Sequence, residues 1–357
     1  MRRVPAANAR VGMILKCTIY DVKGMPVLSQ GETLTEEKLP LLARSCSAEI
    51  LVEDSRTEDI LVGTLFAADL EAKASQALNI LMVMNQGVTS GIQKNGLMGL
   101  VPPMNKLVSC LYPNLMGEAD ISGTYSLQGY QYIHPVKVAE LAMVMARLAG
   151  AEKMELLTLG IAAALMNIGY MSMRPGLLEQ PRPLEKDEWE LVKKHPQLSI
   201  EILQASGLQK DAMEAIAQHH ERWDGKGYPN GLKGHEISLY ARILGICDSY
   251  ISLRSRRPYR KALKPHEAIE FIIAYSGELF DPELVKIFAR QIPQYPAGIT
   301  VVLSSGEGGV VSAPNPGHVA RPVVRVLTVN GVPVREPFDL DLSDPEHQKK
   351  IIAEVDV

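Results

Sequence analysis

Two adjacent histidines, His219 and His220, head the stretch HHERWDGKGYPNGLKGHEI, His219 to Ile237. Imidazole is the commonest metal-ligating side chain and the one that exchanges a proton near neutral pH. Such a pair serves either as metal ligands or as satisfied structural groups, and spacing alone leaves both open. The residues after it define a loop: Asp224 and Gly225, then Gly227, Tyr228 and Pro229. Glycine admits unusual dihedrals there and proline presets its own, so these residues fix a shape whatever the loop touches. Downstream lies a basic run containing Arg254, Arg256, Arg257, Arg260 and Lys261. Guanidinium groups gathered this way make an anion site or a solvated charged face. His235, His266, His318 and His347 read as ordinary core or surface residues.

Helical elements must position these groups. Helical periodicity dominates 57–291. His134, Val138, Leu141, Met145 and Leu148 share one helical stripe, which Gly150 ends. Residues 155–168 are apolar all round, the pattern of a helix in the middle of a bundle. Further helices are expected at 186–194, 210–220, 239–253 and 266–275, and Asp281 before Pro282 is a strong helix start.

The ends of the chain read differently. A β-prone stretch at 13–22, a turn at Gly24, an apolar run at 26–28 and a strand at 49–52 make a small β-rich unit. Thr35 is expected to cap a short helix within it, with Glu36 and Glu37 at its positive end. After Pro293, strands at 299–303 and 322–329, with turns at 306–309 and at Asn330 and Gly331, predict a barrel-like β unit. The expected domains are 1–56, 57–293 and 294–357, a mainly α protein with small β-rich units at both ends.

The chain has 357 residues, long for one core, with 46% apolar residues. A net charge of -4 gives no overall basic field, so neither nucleic acid nor an anionic membrane is an expected partner. The N-terminus lacks a long apolar run, and 156–168 is too short to cross a bilayer as a helix. Cys17, Cys46, Cys110 and Cys247 are scattered, the usage of a reduced, cytoplasmic protein.

The histidine-bearing stretch resembles the HHExxDGxGYP signature of HD-GYP proteins, the phosphodiesterase branch of the metal-dependent HD superfamily. Lys194-His195-Pro196 is similar to the family's KxHP element, and Tyr132-Ile133-His134 to its opening helix. Cys247-Asp248 and the run Arg257-Pro258-Tyr259-Arg260-Lys261-Ala262-Leu263 resemble its downstream Asp and RPYRxAL elements, and Phe280-Asp281-Pro282 its FDPxLV. The likeness covers roughly 129–291, in order. The flanking units also resemble small domains fused to such proteins. What the resemblance implies is an HD-superfamily helical bundle whose histidines and aspartates hold two or three metals for hydrolysis of cyclic di-GMP. By position His134 and Asp248 fall to one metal, and His195, His219 and His220 to the other. Arg257 and Arg260 match positions that hold the nucleotide.

The namesake His-Asp pair is missing. Met166 stands for the His, Asn167 for the bridging Asp, and Tyr170 for a lysine expected at the phosphate. Ile251 replaces an Asp expected near the guanine, and Tyr130 a Glu found in trinuclear members. Two divalent ions about 4 Å apart repel, and a bridging carboxylate offsets this where a neutral Asn does not. A thioether prefers softer ions than iron or manganese. Met171 and Met173 add apolar volume nearby. The expectation is one transition metal (iron, manganese or zinc) on three imidazoles, and no full binuclear centre. Two functions follow. One is a non-hydrolytic or weakly active module that senses cyclic di-GMP or docks signalling proteins, such as diguanylate cyclases, through the GYP loop. The other is a phosphodiesterase working on a reduced metal site.

Overall fold

The computed structural model describes residues 1–21, 25–45, 49–62, 65–85, 91–114, 130–174, 176–178, 180, 182–255, 260–315 and 317–356. Alternating apolar residues build the first unit. β1 (Arg2–Pro5) pairs antiparallel with β4 (Glu49–Val52), and β2 (Ile19–Tyr20) with β3 (Pro26–Leu28). The helix α1 (Lys38–Ser45) lays Leu42 on a core of Leu15, Ile19, Leu28, Leu34 and Ile50. The helix begins later than expected. The regular helix starts at Lys38, but the Thr35 carbonyl receives the amides of Lys38 and Leu39, so Glu36 and Glu37 lie in the turn that leads into it. The turn expected at Gly24, and Cys46, lie outside the described residues.

Ten helices make the bundle among the described residues: α2 (Ala68–Met84), α3 (Val101–Asn114), α4 (Tyr130–Leu148), α5 (Lys153–Leu165), α6 (Lys186–Val192), α7 (His195–Leu203), α8 (Lys210–Gln218), α9 (Leu239–Arg254), α10 (Pro265–Ala274) and α11 (Pro282–Gln291). A capping box between Glu152 and Glu155 starts α5, whose residues from Leu159 to Leu165 are all buried. Gly160 lets α5 approach α4, since a Cβ there would meet Met143 Sδ at 2.7 Å. The segment Lys153–Ser172 is apolar enough over 20 residues to suggest a membrane span. It is α-helical for only 13 of them, ends in a tight 3-10 turn (Ile168–Ser172), and lies inside the bundle.

The helix expected at 186–194 is α6, which stops at Val192, and a second helix follows it at once. Pro196 has no N–H to donate and sits in the first turn of α7, which begins at His195. Asp281 caps α11 as expected, accepting from the Glu283 amide at 2.9 Å.

The last unit is an antiparallel sheet of order β8-β7-β6-β5-β9, from β5 (Thr300–Leu303), β6 (Glu307–Ala313), β7 (Val323–Val329), β8 (Val332–Asp341) and β9 (Ile352–Asp356). It is an open sheet with β8 and β9 at its edges, where a barrel-like unit was expected. Asn330 and Gly331, both at positive φ, close the β7–β8 hairpin. The two β-rich units meet. Met1 and Leu51 pack against a cluster of Ile60, Val62, Val310 and Leu327, and the Arg3 amide donates to the Gly298 carbonyl at 2.8 Å.

Candidate metal centre

His195 opens α7, and His219 and His220 follow the last turn of α8. A histidine at a helix end can turn its ring onto a backbone carbonyl one turn back. His195 Nδ1 donates to the Val192 carbonyl and His219 Nδ1 to the Ile216 carbonyl, each at 2.8 Å. A carbonyl only accepts, so both Nδ1 atoms carry the proton and both Nε2 atoms keep a free lone pair. Those two Nε2 atoms face each other at 3.1 Å. Two lone pairs at that distance repel unless a cation lies between them. With His220, three ligand nitrogens lie within 4.8 Å of one another, and among the described residues no other group of this kind occurs.

Burial pushes all three imidazoles toward the neutral form. For His195 desolvation comes first and the charge of His219 second, bringing its pKa down to about 3. His219 and His220 are also shifted down, first by desolvation. At neutral pH the triad is therefore unprotonated and ready to bind a metal. Two tyrosines wall it. Tyr170 lies 4.4 Å from the His195 ring, and Tyr228 stacks on His220 at 4.8 Å.

The other expected half-site is arranged differently. His134 on α4 and Asp248 on α9 bond each other, Nε2 to Oδ1, at 2.7 Å. Burial alone would raise the Asp248 pKa. The hydrogen bond and charge of His134, then the charges of His220 and His219, instead hold it far below the usual carboxylate range. Met166 is wholly buried in the main core. Its carbonyl accepts from Ser199 Oγ at 2.9 Å, and Ser199 Oγ accepts the Gly169 amide at 2.9 Å. A Cβ at Gly169 would stand 2.2 Å from the His195 carbonyl oxygen, so glycine locks this segment onto α7. Asn167 is half-buried and makes no capping bond at the 3-10 turn. Tyr170 and Met173 join Leu177 and Val192 in a small cluster.

The signature loop is held by a residue that sequence reasoning passed over. Glu221, third letter of the HHE string, is buried and accepts the amides of Asn230 and Leu232 at 2.7 and 3.0 Å. Its place beside the histidine pair was visible, but its partners nine and eleven residues on were not. Gly227 passes so close to Glu221 that a Cβ would meet its Cα at 2.5 Å. Gly225 takes φ +82°, and Asp224 accepts from Lys226 N and from the Arg222 guanidinium. Tyr228 and Pro229 are joined by a cis peptide.

The basic run needs a correction. Arg254 is buried and bonds Glu49 and the Leu263 carbonyl, so it does not thicken an anion site. Ile251 is a core residue. Arg260 is exposed and donates to the Ser252 carbonyl at 2.8 Å. Arg256, Arg257, Pro258 and Tyr259 lie outside the described residues.

Comparison with known proteins adds to this geometry. The family described as HD domain matches residues 105–284. A cyclic di-GMP phosphodiesterase of Pseudomonas aeruginosa is 36% identical over 202 residues, which cover 56% of this chain and 48% of that protein. A cyclic di-GMP phosphodiesterase response regulator of Xanthomonas campestris is 35% identical over 157 residues, 43% of this chain and 41% of that one. The chain thus spans about half the length of the curated relatives it matches. A solved HDG“Y”P protein from Bdellovibrio bacteriovorus shares the fold, with TM-score 0.51 and 14% identity, over 80% of this chain and 97% of that one.

Proposed function

The chain belongs to the HD-domain family, in its HD-GYP branch, and from that premise we propose that it is a cytoplasmic cyclic di-GMP-responsive module with one metal site and little or no hydrolysis. One transition metal (iron, manganese or zinc) is held by His195, His219 and His220, whose convergent nitrogens fit it. When bound, such an ion supplies a Lewis acid with an open coordination position. Arg257 and Arg260 take the nucleotide phosphates, and the loop from Asp224 to Pro229 is the face offered to a partner such as a diguanylate cyclase. This reading divides the chain into units 1–56, 57–293 and 294–357. One observation carries it: Met166 is wholly buried in the main core and its neighbour Asn167 is a neutral side chain where the bridging carboxylate is expected, so the second half-site is short of two ligands.

The rival reading is a slow phosphodiesterase on the single metal, and the facing Nε2 atoms of the triad favour it. Calorimetry with cyclic di-GMP, with a turnover assay in added manganese or iron, separates the two. The proposal expects binding without appreciable linear dinucleotide or GMP. Robust turnover that His219→Ala abolishes would establish the enzyme instead.

A further inference from the structure

The helix α9 ends at Arg254, six residues beyond Asp248, with its guanidinium almost sealed from solvent at 5% exposure. A buried guanidinium is costly unless paired. Its Nη2 reaches Glu49 Oε1 on β4 at 3.1 Å, and its Nη1 donates to the Leu263 carbonyl at 2.7 Å. Glu49, 7% exposed, also faces Arg3 on β1, Oε2 to Nη1, at 3.7 Å. One carboxylate of the N-terminal unit thus stands between an arginine of its own first strand and one at the end of the helix that carries Asp248.

The same root clips the segment that follows. The Leu263 amide donates to the Leu253 carbonyl at 2.9 Å while its carbonyl takes Arg254, so Leu263 is held from both sides. Three residues before it, Arg260 bonds the Ser252 carbonyl. The base on which Arg260 stands is therefore set by Arg254, and Arg254 is set by Glu49. Lysine could meet one of these partners as a point charge, whereas the guanidinium fork meets both.

We propose that Arg254 is a positioning residue, held by Glu49 of the N-terminal unit, that sets where Arg260 stands for a cyclic dinucleotide. The N-terminal β-rich unit then acts on nucleotide affinity through one buried ion pair. This rests on the reading above that Arg260 contacts the nucleotide.

The test is calorimetry of the full chain with cyclic di-GMP, well below each variant's melting point, with metal content measured in the same samples. Arg254→Gln and Glu49→Gln are each expected to weaken binding about tenfold at unchanged metal content. The double variant Arg254→Gln with Arg260→Ala is expected to bind no more weakly than Arg260→Ala alone, because the two act as one unit. A purely structural role would lower the melting point and leave affinity unchanged, or would multiply in full with Arg260→Ala. Either outcome overturns the inference. If Arg254→Gln fails to fold, Arg254→Lys keeps the charge beside Glu49 and loses the fork. It is expected to weaken binding by a smaller factor, and unchanged affinity overturns the inference again. If the unmodified chain does not bind cyclic di-GMP at near-millimolar ligand, the nucleotide reading and this inference fall together. Binding that all Arg254 and Glu49 variants retain removes the inference alone.

Discussion

His195, His219 and His220 form one group of donors, and His134 and Asp248 form a second group close enough to feel its charges. The donor types overlap and the outcomes are opposite. In the triad, two rings fix their Nδ1 protons on carbonyls of their own chain segments and point their remaining lone pairs at each other. In the second group, His134 gives its Nε2 to Asp248, so each satisfies the other. What makes a metal site is therefore the lone pairs left over after local hydrogen bonding, and not the count of histidines. A backbone carbonyl three residues back holds an imidazole regardless of what faces it. An imidazole and a carboxylate within reach of each other pair directly.

The sharpest way to break this comparison is to remove one donor from each group. His219→Ala is expected to take the metal from about one per chain to nearly none, read by elemental analysis after reconstitution. Asp248→Asn is expected to leave the metal within about twofold, since Asp248 acts on the triad only from outside it. If Asp248→Asn empties the protein as fully as His219→Ala, the two groups are one site and the contrast is wrong.

A gain-of-function pair comes next. Met166→His with Asn167→Asp should bring metal content toward two per chain and raise cyclic di-GMP turnover, while each single change does little. The pair must draw Asp248 away from His134 and place an imidazole where Met166 fills the core, which costs about 2–4 kcal/mol of stability. Equal metal content in the pair and in the unmodified chain would show that the missing ligands are not what closes the second half-site.

A third variant asks how far the triad depends on its loop. Glu221→Ala removes two amide-to-carboxylate hydrogen bonds from a buried group, costing about 2–4 kcal/mol, read as a lower melting temperature. Metal binding should persist, because His195 and His219 are anchored by their own carbonyls. Loss of metal in a folded Glu221→Ala would mean that the loop, and not the helix ends, sets the triad.

The sequence made the local parts of this arrangement legible. Periodicity and caps fixed α8, α9 and α10 to within a few residues, and the start of α11, because those signals are carried by neighbours in the chain. The histidine pair and the departures at Met166 and Asn167 were likewise visible as residue types. What it did not reveal were partners far apart in the chain. The strand at 49–52 was legible, but its partner β1, more than forty residues earlier, was not. Arg254 looked like part of a basic surface run because nothing near it in sequence announces Glu49. The bond between His134 and Asp248 spans 114 residues, so the self-satisfied state of that pair became apparent only in three dimensions.

The smallest expected effect lies near the second group and concerns pH. Two turns along α4 from His134, Glu140 is fully buried beside Lys137, whose ammonium lies 3.2 Å from Oε2 and 2.6 Å from Glu71 on α2. Neither Glu140 oxygen receives a hydrogen bond among the described residues, and Cys110 of α3 also feels its charge. Desolvation first, then the charge of Glu71, pushes the Glu140 pKa up to about 8 against the pull of Lys137. The folded chain therefore binds a proton that the unfolded chain has released above its ordinary carboxylate range. The associated stability is fully present near pH 4 and is lost as pH rises through about 8. Glu140→Gln removes that proton from the balance. Its stability relative to the unmodified chain should rise by roughly 3–4 kcal/mol between pH 5 and pH 8, read from urea unfolding at each pH. If the two curves stay parallel over that range, Glu140 is ionised throughout and Lys137 holds both carboxylates as a closed ionic cluster. That cluster would then match the pairing of His134 with Asp248 in kind.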